Sequence, residues 1–149
     1  DDAALSRVRA SRIGFVFQAC NLIPHCTILE NTALPFMYHP DAIPAREIQH
    51  RAAAALKRVG LAGRLSHTPG RLSGGEMQRA AIARALVIDP LLVLADEPTG
   101  NLDADTTAGI LDLFETLNAR GATLLVVTHD PHVAGRAGRV LSLKNGRLQ

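Results

Sequence analysis

Two kinds of hydrophobic pattern alternate along the chain. Short unbroken apolar runs read as strands: Arg12–Phe17, Leu91–Ala95 and Ala122–Thr128, with Arg139–Leu143 as a fourth. Between them, apolar residues recur at helical spacing. Thr27-Ile28-Leu29-Glu30 has the spacing of a capping box, and Pro35 is placed to break the helix it opens. After Pro44, which suits a first helical position, Ile48, Ala52, Ala55, Leu56 and Val59 share one face and Gly60 closes the helix. A helix from Ser73-Gly74-Gly75-Glu76 runs to about Ile88. Asp103 caps another, with Ile110, Phe114 and Leu117 on its core face and Gly121 at its end. Pro131–Ala137 reads as a short helix and Asn145-Gly146 as a hairpin-type turn. Asp1–Arg9 reads as a solvated helix or loop.

The two clearest strands, Leu91–Ala95 and Ala122–Thr128, are apolar without alternation, the mark of strands buried on both faces. Strands alternating with helices predict an α/β domain with a mostly parallel sheet. Thr27 to about Ser66 carries no strand signal and predicts a helical excursion from that sheet. With 149 residues, 47% of them hydrophobic and 20% charged, the chain has the balance of one soluble globular domain. No run approaches the roughly 20 apolar residues of a membrane span. Two cysteines, Cys20 and Cys26, with no CxxC, exclude a disulfide framework and leave the reducing cytoplasm as the default. A net charge of +2 gives no electrostatic case for nucleic acid as a partner.

Three features carry chemistry. Leu91–Ala95 runs into Asp96-Glu97, two carboxylates at the carboxyl end of a buried strand, where open α/β sheets bind ligands. One could hold Mg²⁺ while the other, pointing elsewhere, orients or deprotonates an attacking water. The pair could also be a merely solvated strand end. Ser73 and Glu76 suffice for a capping box, but a cap does not explain Gly74 and Gly75, each costing roughly 1 kcal/mol inside a helix. Those glycines bare amides at the positive end of a helix dipole, a phosphate-shaped site. His129, in Thr128-His129-Asp130, and Gln18 end other strands at the same edge, if the sheet is parallel.

In combination these segments resemble the ATP-binding-cassette ATPases. Gly14–Gln18 with Asn21-Leu22-Ile23-Pro24 resembles their Q-loop, and Leu72–Arg79 their signature motif. Leu92–Asp96 with Glu97-Pro98-Thr99 is similar to Walker B and its catalytic glutamate. Gly100–Asp103 is similar to the D-loop, and Thr128–Asp130 to the H-loop. The Asn-Leu-Ile-Pro and Gly-Asn-Leu-Asp wording is most similar to the branch of lipoprotein-releasing, macrolide-export and cell-division type ATPases, with Met77 in place of the branch's usual glutamine. The resemblance implies a partial P-loop NTPase (RecA-like) parallel sheet with an inserted helical signature subdomain. Residues 1–26 and 89–149 would form the catalytic core part, and 27–88 the helical subdomain. The strand order would be Q-loop, Walker B, H-loop, then a gap before Arg139–Leu143.

The implied ligands are ATP and Mg²⁺. Asp96 would hold the metal, Glu97 would polarise the attacking water, and His129 would contact the γ-phosphate. Gln18 would sense metal and water and relay to a permease through Ala19–Cys26. Ser73, Gly74, Gly75 and Glu76 would serve ATP bound mainly by a second copy in a head-to-tail dimer, which Asp103 would help pin together. The implied place is the cytoplasmic inner face of the cell membrane. The family's G-x-x-x-x-G-K-[ST] loop is not in this chain: its two lysines, Lys57 and Lys144, follow Leu56 and Leu143. The chain is therefore expected to be the C-terminal two-thirds or so of such a subunit, inactive by itself. A non-catalytic permease-docking module is the rival reading. A DNA-repair or chromosome-type ATPase fits less well, because Thr27–Leu72 is too compact for a coiled-coil insertion.

Overall fold

A computed structural model describes residues 1–149. Helix α1 (Asp2–Arg12) buries none of its residues and leads into strand β1 (Ile13–Phe17). The Thr27–Glu30 capping box is formed and opens α2 (Ile28–Ala33), which tightens at Pro35 into a 3₁₀ turn, Leu34–Met37. Helix α3 (Ala45–Arg58) has Pro44 at its N-cap rather than inside its first turn, and it ends before Gly60, whose φ is +83°. Helix α4 (Gly74–Leu86) stops two residues earlier than its apolar pattern, ahead of Asp89 with φ +48°. Strand β2 (Leu92–Asp96), helix α5 (Ala104–Ala119), strand β3 (Leu124–Val127) and the single turn α6 (Pro131–Ala134) follow.

The sheet is parallel in the order β1-β2-β3, as expected for the Q-loop, Walker B and H-loop strands. Its register aligns Phe17 with Asp96 and Asp96 with Val127, so all three strands end in one row. One face, with Val16, Val93 and Ala95 buried, packs against the helices. Ile28, Leu56 and Ile82 join α2, α3 and α4, and Ile110, Phe114 and Leu117 anchor α5. Helix α4 touches β1, α2, α3 and α5 and so is the centre of the packing. At Gly14 it comes so close to β1 that an added methyl would overlap the Ala85 carbonyl oxygen.

Two expectations are corrected. The strands are apolar on both sides but buried on one: Phe15, Phe17, Leu125 and Val127, 36–57% exposed, lie on the uncovered face. A strand's composition records that both faces want cover, not that cover is present. Arg139–Leu143 does not form a strand. Residues 139–142 have no ladder partner; the chain folds back at Asn145–Gly146, and only Leu143 pairs, in β4 (Leu143–Lys144) against β5 (Arg147–Leu148). No helix is long and apolar enough to cross a membrane.

Candidate nucleotide-facing site

The row formed by Phe17, Asp96 and Val127 sets the site. Gln18 follows the first, Glu97 the second, and Thr128-His129 the third, so chemistry-bearing residues from three strands share the sheet's carboxyl edge. Asp96 is exposed at that edge. Glu97 has φ +44°, a sparsely populated conformation for a non-glycine residue. That turn carries its side chain across to the β3 end. Its Oε1 accepts from the His129 backbone N–H at 2.8 Å and meets His129 Nδ1 at 2.6 Å; its Oε2 accepts from Thr128 Oγ1 at 3.1 Å.

The electrostatics follow. The bond from the His129 ring, with the backbone and Thr128 bonds behind it, holds the Glu97 carboxyl below the usual range. The same carboxylate raises the His129 imidazole above its ordinary value. With Nδ1 occupied as a donor to Glu97, the neutral ring would have only an acceptor at Nε2. The protonated ring donates at both nitrogens, so the raised pKa favours a form able to face an anion.

Gln18 turns toward the Gly100–Asp103 segment, donating from Nε2 to Asn101 Oδ1 at 3.3 Å. This partner is invisible in the sequence, since 83 residues separate the two. Asp103 caps α5, accepting from Thr106 N at 2.9 Å and Thr106 Oγ1 at 2.6 Å, and the hydroxyl bond foremost lowers its carboxyl pKa.

At the N-terminus of α4 the capping box is complete: Glu76 N donates to Ser73 Oγ at 3.3 Å, and Ser73 N to Glu76 Oε2 at 2.9 Å. Arg64 Nε donates to Glu76 Oε1 at 2.9 Å, so both oxygens of Glu76 are engaged. The Ser73 hydroxyl oxygen accepts within the box. Gly74 is exposed. Gly75 has a further reason to be glycine: an added methyl would overlap Thr106 Cγ2, so the α4 start packs directly on the Asp103 cap.

Asn31, Arg64, Gln78 and Arg84, to which the sequence assigns no role, fix the loop after Gln18 and the start of α4. Asn31 and Gln78, polar residues fully enclosed on buried helix faces, are the one signal that could have marked two of them.

The model of the ABC transporter family matches residues 3–100. This chain belongs to the ABC transporter family. An ABC transporter ATP-binding protein of Thermotoga maritima is 49% identical over 148 residues, 99% of this ABC-family chain and 62% of the relative. The lipoprotein-releasing system ATP-binding protein LolD of Pseudomonas syringae is 49% identical over 148 residues, covering 99% of the chain and 64% of LolD. The macrolide export ATP-binding/permease protein MacB of Rhodopirellula baltica is 54% identical over 143 residues, 95% of the chain and 21% of MacB. Among solved structures, the ATP-binding cassette MJ0796 in a dimeric post-hydrolysis state bound to ADP and Pi superposes with a TM-score of 0.83 at 44% identity, over all of this chain and 66% of that one. The ABC-family chain thus spans less than two thirds of the length of these relatives. LolD and MacB carry in their names the lipoprotein-releasing and macrolide-export members of the branch expected from the motifs.

Proposed function

We propose that this chain carries the hydrolytic edge and the signature helix of an ATPase that powers a membrane permease from the cytoplasmic face. The observation that carries the reading is the shared row at the sheet's carboxyl edge, where Gln18, Asp96, Glu97 and His129 meet from three strands. The names of the relatives support it. ATP is the substrate and is shared between two copies. Ser73, Gly74 and Gly75 of one copy grip the γ-phosphate with a hydroxyl and bare helix-start amides, and Glu76 acts by closing the cap that aims them. Asp103 holds the adjoining α5 start against Gly75, at the rim where a second copy would sit.

Mg²⁺ takes oxygen ligands, one or two of them carboxylates, and keeps the rest of its shell for water and phosphate. The exposed Asp96 carboxylate, with the Gln18 amide one residue past its register partner Phe17, suits that demand; no cluster of three His, Cys, Asp or Glu residues exists for a metal held by protein alone. When bound, the ion would neutralise phosphate charge. Glu97, ionised and held by three bonds, orients a water by accepting from it, and His129 donates from Nε2 to the γ-phosphate oxygens. The loop Ala19–Cys26, with Leu22 half-buried and Ile23 42% exposed, faces the permease.

The test is Glu97→Gln in the ATPase with its permease. ATP should still bind, while hydrolysis falls at least 100-fold, the order of magnitude of a positioned general base. Turnover near wild type would remove Glu97 from the mechanism and this reading with it.

A further inference from the structure

The loop behind Gln18 contains two successive non-glycine residues in the left-handed region, Cys20 at φ +58° and Asn21 at φ +49°. Such a hinge persists only where its surroundings over-determine it. Here the surroundings are side chains of α4 and α2. The Arg84 guanidinium donates to the Asn21 carbonyl at 2.6 Å and to the Cys20 carbonyl at 2.5 Å. Gln78, 1% exposed, accepts from Cys20 Sγ at 2.8 Å and donates to the Phe17 carbonyl at 3.4 Å. Asn31, fully buried, accepts from Ile23 N at 2.7 Å and donates to the carbonyls of Ile23, Cys26 and Thr27. The loop is therefore gripped at both ends. Helix α4 packs closely on β1 at Gly14, where an added methyl would overlap the Ala85 carbonyl oxygen. The same α4 begins at Ser73, Gly74 and Gly75.

We propose that Arg84, seconded by Gln78, is a positioning residue that makes the left-handed hinge Cys20–Asn21 one rigid body with the signature helix, so that a displacement of Leu22 and Ile23 is delivered undiminished to Ser73–Gly75. This rests on the reading of that loop as permease-facing. A guanidinium suits the task because its planar fork meets two carbonyls at once, with less freedom lost per bond than a flexible ammonium. Gln78 and Asn31 keep the segment on either side from swinging, and both are shielded from competing water.

The experiment uses the ATPase with its permease in proteoliposomes, reading basal ATP hydrolysis, its stimulation by the permease, transport and Tm. Arg84→Ala should leave basal hydrolysis within about twofold and cut stimulation at least about tenfold, the least that losing its two charge-assisted hydrogen bonds amounts to. Arg84→Lys should recover part of that loss. Asn21→Gly, which removes no side-chain bond and takes the left-handed conformation freely, should lower stimulation with Tm unchanged. Wild-type stimulation in both Arg84→Ala and Asn21→Gly overturns the inference. So does a proportional fall of basal and stimulated rates together with Tm, which marks plain structural support. Ile23→Glu separates the two readings: if it uncouples while Arg84→Ala does not, the clamp alone is wrong; if coupling survives it, the docking reading falls and takes the clamp with it.

Discussion

The Glu97–His129 contact is the most informative pair of residues, because each partner shifts the other in the direction its role requires. Glu97 is lowered and His129 raised, both through the same 2.6 Å contact. The pair's small surface contribution to stability is present between those two pKa values. It is lost as pH falls through the lowered carboxyl value and as pH rises through the raised imidazole value. NMR titration of the His129 ring should give a pKa above 6.5, and Glu97→Gln should bring it back toward 6.5. An unchanged value in the substituted protein would show that the contact does not persist in solution. Neither partner's environment was legible in sequence beyond its position. The strained φ of Glu97 arises from the turn itself, and the preference for Nδ1 comes from a bond made across 32 residues.

At the scale of elements, helix α4 concentrates the account. Its cap was legible because a capping box is local chemistry, four residues long. The reason for Gly75 was not, because the atom that forbids a side chain there, Thr106 Cγ2, belongs to α5. The two glycines should therefore separate. Gly75→Ala should destabilise the protein by about 1–3 kcal/mol through overpacking. Gly74→Ala, whose methyl would only reach ordinary contact with Leu102, should be near neutral in denaturant unfolding. Thr106→Ser, which removes the obstructing methyl and keeps the hydroxyl that bonds Asp103, should restore most of what Gly75→Ala loses. Stabilisation by both glycine substitutions would mean that helix propensity, not the approach of α5, governs the pair. Strand bounds shifted by one or two residues for the ordinary reason that a ladder ends where its neighbour ends, which no single segment records.

For the whole molecule, the parallel sheet, the helical excursion and the placement of Gln18, Asp96, Glu97 and His129 at one edge were legible because βαβ alternation and strand-end placement survive in the sequence, while the order of the three strands came from the resemblance to the ATP-binding-cassette ATPases. The bare face was not, since cover is supplied by other parts of a fold. That face presents Phe15, Phe17, Leu125 and Val127 together. A 149-residue polypeptide of this sequence expressed alone should bind a hydrophobic dye strongly and aggregate at micromolar concentration, as contiguous apolar surface does. A monodisperse monomer by light scattering would contradict this. The central claim is that Glu97 of one copy and Ser73–Gly75 of another serve the same ATP. Mixed dimers of the ATPase test it most directly, with Glu97→Gln and Ser73→Arg placed either in one copy opposite a wild-type partner or in opposite copies. Shared sites predict that the opposite-copy dimer keeps one intact site and hydrolyses ATP, while the same-copy dimer does not; hydrolysis by the same-copy dimer alone would contradict the account.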